Sequence, residues 1–287
     1  MCLILSRKGY DSAAGGRPSP IFPDGDLCSL PIPSEDDLRL SDVRCRSGDL
    51  GEIAAQLTGQ PSRATAHVHL DPDLDAAARP RPSGWRPCFG QTLAAQAHLD
   101  NQGVGVGDLF LFFGWFREVV QRDGEWRYRA GAPDIHCLFG WLQIAAVYRL
   151  DCGDEAPSWG PEHPHVKNAE RYRSGSLRNT LYAAADRLEL PGLAVEVAGG
   201  GVFPSYTPAL RLTAPDCTRS TWRLPGCFAP RPDVAPLSFH GASWRWNRDG
   251  DDVLLKTAGR GQEFVLDCDD RPGVVDWLAR IFEQPDH

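Results

Sequence analysis

The chain lacks any apolar stretch long enough to cross a bilayer. Its longest run, LFLFFGWF at 109–116, falls far short of the roughly 18 to 20 residues a spanning helix needs, and the opening MCLILSRKG holds only a short apolar core. A soluble, unexported, cytoplasmic protein with no membrane partner is expected. Paired cysteines are missing too. Nine stand singly, with no C-x-x-C among them, which argues against a zinc ribbon or a disulfide framework and for reduced thiols. Positive charge is in deficit: 30 Lys and Arg face 38 Asp and Glu, a net charge of −8 that disfavours strong non-specific binding to nucleic acid. A local cationic pocket for a nucleotide is still compatible with that balance. The familiar G-x-S-x-G and H-E-x-x-H signatures are absent, and the opening loop contains neither a P-loop nor a dinucleotide fingerprint.

What is present is enough apolar residue, 42% of 287, to bury a sizeable core. One domain over 1–287 is expected, or two packed lobes at about 1–150 and 177–287. The segment 108–116 is apolar on both alternating faces, as a central strand covered on both sides requires, with 140–150 as its partner and an Asp-Gly turn in RDGEWRY (122–128). Further strands are predicted at 193–198, 208–213, 253–258 and 263–268. Val274, Trp277, Leu278 and Ile281 form an apolar stripe on a C-terminal helix that begins near Pro272. Ala, Leu and Gln content predicts a helix at 90–99, and 177–188 reads as either helix or strand plus helix. Without regular strand and helix alternation, the fold class is α+β, an irregular mixed or antiparallel sheet with flanking helices and long functional loops.

Three polar patches could carry chemistry. In HVHLDPDLD (67–75), an extended backbone turns His67, His69 and Asp71 to one face, a ligand set that suits non-haem iron or zinc; the alternative is a strand end with Asp71-Pro72 starting a turn. On the helix expected at 90–99, Gln91, Ala94 and His98 share a face, so His98 could add a third imidazole or lie on a solvated surface. The opening loop (5–25) offers Arg7, Lys8 and Asp11 beside Gly9, Gly15 and Gly16, whose backbone can come close to an anion. Arg260, between two glycines, could hold an anion or sit in a plain turn, and the His163/His165 pair in EHPHV reads mainly as solvated loop histidines.

Taken together, LSRKGYDSAAGGRPSPIFPDG, SLPIP (29–33), HLDPDL (69–74), FGQTLAAQAHLDNQGVGVGDLFLFFGWF (89–116), HPH (163–165), NTLY (179–182) and GRGQEFV resemble the nucleotide modification associated domain 3 family, nearly end to end. Tyr10 stands where the family pattern has Phe. The resemblance emphasises Arg7, Lys8, Asp11, His69, Asp71, Asp73, Gln91, Gln96, His98 and Gln262, with His69 more firmly in the motif than His67. It implies an enzyme of nucleotide or nucleic-acid base modification. In that reading Arg7, Lys8, Asp11, Gln91, Gln96, Arg260 and Gln262 bind a nucleotide or other small-molecule substrate. His69, Asp71 and His98 do the chemistry by proton transfer, or bind iron or zinc together with His67. Two alternatives stay open: a metal-dependent enzyme acting on a peptide or other small molecule, and a non-catalytic module that recognises a modified base.

Overall fold

The computed structural model describes residues 1–172, 177–259 and 261–283. Among these residues nine strands form one mixed sheet: β1 (Cys2–Arg7), β2 (Ser19–Ile21), β3 (Cys88–Thr92), β4 (Leu109–Arg122), β5 (Glu125–Tyr128), β6 (Ile135–Arg149), β7 (Asn179–Ala184), β8 (Gly200–Val202) and β9 (Glu263–Asp267). The path runs β9-β1-β4-β6-β7-β3, with β2 and β5 added to β4 and β8 to β6. β1 and β2 lie parallel to β4; its pairings with β5 and β6 are antiparallel. Helices α1 (Leu50–Thr58), α2 (Leu93–Asn101), α3 (Pro164–Lys167) and α4 (Pro272–Phe282) flank it, and a small antiparallel sheet joins 221–225, 252–256 and 246–249. The fold is α+β.

β4 is central because it can be buried on both faces. Phe110 and Phe112 meet Phe89 at 5.0 and 5.2 Å between ring centroids, while Phe113 meets Trp222 edge-on at 4.8 Å. Each such side chain contributes about 1.5–3 kcal/mol on burial. The Asp-Gly turn forms as the sequence predicts, with Asp123 and Gly124 at φ 53° and 80° between β4 and β5. α4 begins at Pro272 and buries Val274, Leu278 and Ile281, with Trp277 against Phe228. The sheet curls until its first and last strands meet: Gln91 Nε2 on β3 donates to Glu263 Oε1 on β9 at 2.5 Å.

Several expectations are corrected. The predicted helix at 90–99 is a strand up to Thr92, because Gln91 and Thr92 pair with Thr180 and Asn179, and helix follows only from Leu93. Segment 193–198 is not a strand; it follows the Pro191-Gly192 turn, and the Ala194 N–H goes to Glu283 Oε1 instead of a strand partner. At 208–213, Pro208 opens a short 3-10 turn, followed by isolated bridges at Arg211 and Thr213. Residues 177–188 hold strand β7. The all-reduced cysteine reading is overturned by Cys28–Cys45, a disulfide formed where the chain folds back with Cα atoms 6.2 Å apart. Among the described residues, no helix is long and apolar enough to cross a membrane.

Two buried histidines are held neutral. His136 Nδ1 accepts the Trp222 indole N–H at 3.0 Å, and burial pushes its pKa down to about 3. His240 Nε2 accepts the Ala258 N–H at 2.9 Å while Nδ1 donates to the Ser238 carbonyl at 2.7 Å, and burial lowers its pKa to about 4. Both values lie below the unfolded value of about 6.5, so below that pH the unfolded chain binds more protons. Stability is therefore complete above about pH 6.5 and falls toward pH 4, by on the order of a few kcal/mol per histidine. Urea midpoints measured from pH 7 to pH 4 should show this decline, and His240→Gln should flatten it; an unchanged slope in that variant would contradict the assignment.

Candidate functional site

The site is assembled along the outer edge of β3. Asp73 and Cys88 exchange backbone hydrogen bonds at 2.9 Å, which lays the chain from His69 to Asp73 alongside the strand. One step further on, the edge N–H of Gly90 is taken by the Asp71 carboxylate, Oδ1 accepting at 2.8 Å. His69 is fixed from the other side by pairing of Val68–His69 with Ile32–Pro33. α3 begins with His163 as its N-cap and Pro164 as its first residue, and this brings His165 onto Asn179 of β7. Gly90 makes the room: a Cβ there would lie 2.3 Å from the His165 ring.

Hydrogen bonds determine which ring nitrogen faces inward. Asn179 Nδ2 donates to the His165 carbonyl at 2.9 Å, so its Oδ1 is the atom that accepts from His165 Nδ1 at 2.8 Å. His165 therefore turns Nε2 toward Asp71 Oδ2, 3.5 Å away. His69 repeats the pattern, with Nδ1 bonded to Asp36 Oδ2 at 2.6 Å and Nε2 3.8 Å from Asp71 Oδ2. Asp36 is itself held by Asn168 Nδ2 at 2.8 Å. His163 Nδ1 accepts the His165 N–H at 3.3 Å, and its Nε2 stands 3.4 Å from Asp71 Oδ1.

The electrostatics follow from this packing. Burial works against charge on Asp71, yet His163 and His165 hold its carboxyl well below the usual carboxylate range. Burial also opposes charge on His69, but Asp36 and then Asp71 prevail and raise its pKa. Burial lowers that of His163, against the pull of Asp71. His69, Asp71 and His165 each present a ligand atom within 4.8 Å of the others, close enough that the three could hold one metal ion.

The other predicted site residues are distributed more widely. His67 lies outside this group, its Nδ1 on the Asp36 carbonyl at 2.5 Å. His98 is on α2, bonded to Ser238 Oγ at 3.0 Å with its ring tilted against that of Phe239; burial lowers its pKa against the raising effect of Glu263. It does not share a helix face with Gln91, which is on β3. Lys8 Nζ pairs with Glu263 at 2.8 Å over the Phe89 ring, and its charge is felt at His69. Arg7 goes elsewhere, to the Gly261 carbonyl at 3.1 Å, with its charge acting on His136 and Arg219. Asp11 ties a turn by accepting from Ala13 and Ala14, Gln96 bonds Asp100 and Tyr182, and Asp73 is clamped by Arg81. The Gln262 carbonyl accepts from Arg7, and Arg260 lies outside the described residues. Asp36, His163, His165, Asn179 and Glu263 are the residues that the sequence reading left out of the site; the two histidines, expected as solvated loop residues, are buried.

A family model described as nucleotide modification associated domain 3 matches residues 2–267. The chain belongs to that family. Comparison with curated proteins and with solved structures finds no match. The family's description associates the nucleotide modification associated domain 3 fold with nucleotide modification, and the matched span contains every residue of the cluster around Asp71.

Gly90→Ala should force the His165 ring away and cost about 1–3 kcal/mol of stability, as overpacking does. In a His165→Ala background the same substitution should be nearly neutral. Chemical denaturation of the four-member mutant cycle checks this coupling, and additive costs would show that the clash is not what constrains position 90.

Proposed function

We propose that this protein is a metal-dependent enzyme that modifies a nucleotide or nucleobase, with His69, Asp71 and His165 as the ligands of a divalent transition metal. The observation that carries this reading is the approach of two imidazoles and one carboxylate within 4.8 Å, with each imidazole tied back through Nδ1. Metal-binding histidines characteristically donate their second N–H to a carboxylate or carbonyl oxygen, the roles taken here by Asp36 and Asn179. Two imidazoles and a carboxylate leave coordination positions open, and the set suits iron(II) or zinc. A bound metal would supply Lewis acidity and an activated water or, as iron, reaction with oxygen.

The chain's own residues have distinct parts in this reading. Gly90 N–H holds Asp71 Oδ1, so Oδ2 is left for the ion. His163 stands against the same carboxylate and keeps it ionised without joining the ligand set. His98, by Ser238 and near Glu263, belongs to the substrate side and not to the metal. The nucleotide as substrate is supported by the family description.

Protein prepared without tag or chelator and titrated with zinc, or anaerobically with iron(II), is expected to take up a single ion per chain. His69→Ala and His165→Ala should abolish stoichiometric uptake, and Asp36→Asn should weaken it by about 10- to 100-fold. His67→Ala and His98→Ala should retain it. An ion-free wild type, or full uptake by His165→Ala, overturns the reading. Loss of turnover with nucleotide affinity retained in His69→Ala would separate catalysis from simple recognition.

A further inference from the structure

Two cysteines and an acid converge at a second place. The bridge between Ile21 and Leu27 sets Asp26 and Cys28, two residues apart, on one side of the chain. Cys45 reaches them from the short hairpin in which Arg44–Cys45 pairs with Gly48–Asp49. Asp26, Cys28 and Cys45 each offer a ligand atom within 4.8 Å of the others, and Asp26 and Cys28 are buried. All three line one cavity of about 200 Å³, together with Arg46.

The disulfide between Cys28 and Cys45 does not account for the acid beside it. Cys28 Sγ lies 3.5 Å from Asp26 Oδ2, and a disulfide sulfur has no proton to give a carboxylate. The contact becomes favourable when Cys28 is a thiol, or when a cation lies between sulfur and oxygen. The carboxylate is also held as a metal ligand is held: Ser47 donates its N–H and its hydroxyl to Oδ2 at 2.9 and 2.7 Å. Arg46 stands 3.9 Å from Oδ1. Two thiolates and a carboxylate carry three negative charges, which a divalent ion and this guanidinium offset.

We infer that Asp26, Cys28 and Cys45 form a zinc site, open while the two cysteines are reduced and closed by their disulfide. Opening takes two electrons and two protons from a dithiol: the S–S bond breaks, each sulfur gains a proton, and the dithiol becomes a disulfide. Zinc(II) then bonds to both sulfurs with release of the two protons, and Asp26 supplies an oxygen. The cavity leaves room for water as the fourth ligand. Thiolates favour zinc over the hard cations that oxygen ligands select. The site shares no residue with the cluster around Asp71 and does not rest on the nucleotide reading.

Cobalt(II) serves as the probe, because thiolate ligands give it a charge-transfer absorption that imidazole and carboxylate ligands do not. Metal-free protein is titrated anaerobically before and after reduction by a phosphine, which is then removed. The absorption is expected only after reduction, saturating at one thiolate-bound cobalt per chain. The single ion proposed for the Asp71 cluster is thus the uptake of the oxidised chain, and the reduced chain takes two. Cys45→Ser should lose the absorption, with the reduced wild type, which also lacks the disulfide, as its reference for folding. Asp26→Asn still accepts the Ser47 N–H and should weaken this uptake by about tenfold or more. His165→Ala should keep the absorption. No absorption after reduction, or an undiminished one in Cys45→Ser, overturns the inference. Uptake that depends on His165 but brings no thiolate absorption fells this site alone; thiolate absorption without His165-dependent uptake supports it and fells the metal centre proposed at Asp71.

Discussion

The carboxylate of Asp71 is the element on which the rest of the site depends. It is buried, it accepts the Gly90 N–H that the edge of β3 would otherwise leave open, and three imidazoles stand around it. A buried anion needs compensation from partners held in place, since mobile ones would lose too much entropy on assembly. Each partner is accordingly anchored from behind: His69 by Asp36, His165 by Asn179, and His163 through the backbone of α3. That anchoring fixes the inward direction of two Nε2 atoms, which with the carboxylate oxygen form a set that could hold a small cation.

A second buried charge, Glu263, links the site to the architecture. Lys8, the residue after β1, and Gln91 on β3 both bond its Oε1, and the Gln91 bond joins the two ends of the sheet path. A buried ion pair of this kind adds little net stability over a well-packed apolar substitute. Its value is positional, because it sets Lys8 close enough to act electrostatically on His69 while leaving Oε2 uncommitted. Arg7, one residue earlier, is directed away from it to Gly261, as the alternation of a strand requires. Arg7 and Lys8, adjacent in the sequence, are therefore divided between different surroundings.

Legibility in the sequence followed the physical range of each signal. Periodicity is local, so β4 and α4 could be read from Phe110, Phe112 and Phe113 and from Val274, Leu278 and Ile281, and the Asp123-Gly124 turn from its residue types. Residues 88–92 could not be read as strand, because their Gln and Ala-rich continuation favours helix and the strand exists only through pairing with β7. The same limit applies to the site. His69 and Asp71 are two residues apart and alternation places them together, but His165 reaches them only because α3 folds onto Asn179, a relation that no local pattern encodes. Cys28 and Cys45 are likewise brought together by topology and not by spacing.

Gly90 shows how closely fold and site are interlocked. Its N–H holds Asp71 and its missing side chain admits His165, so one position serves as strand edge, anion anchor and space for a ring. On the same strand Gln91 turns to the opposite face and holds Glu263, and two residues later Leu93 adopts its strained conformation at the start of α2. The anchors of Asp71 and of Glu263 thus lie on neighbouring residues of β3. Because strand alternation sends neighbouring side chains to opposite faces, Gly90 and Gln91 can attend to the histidine cluster around Asp71 and to the buried Glu263 at once. A shift of register by one residue would exchange their faces and dismantle both, so the pairing of β3 with β7 positions the cluster around Asp71 as much as any of its own side chains does.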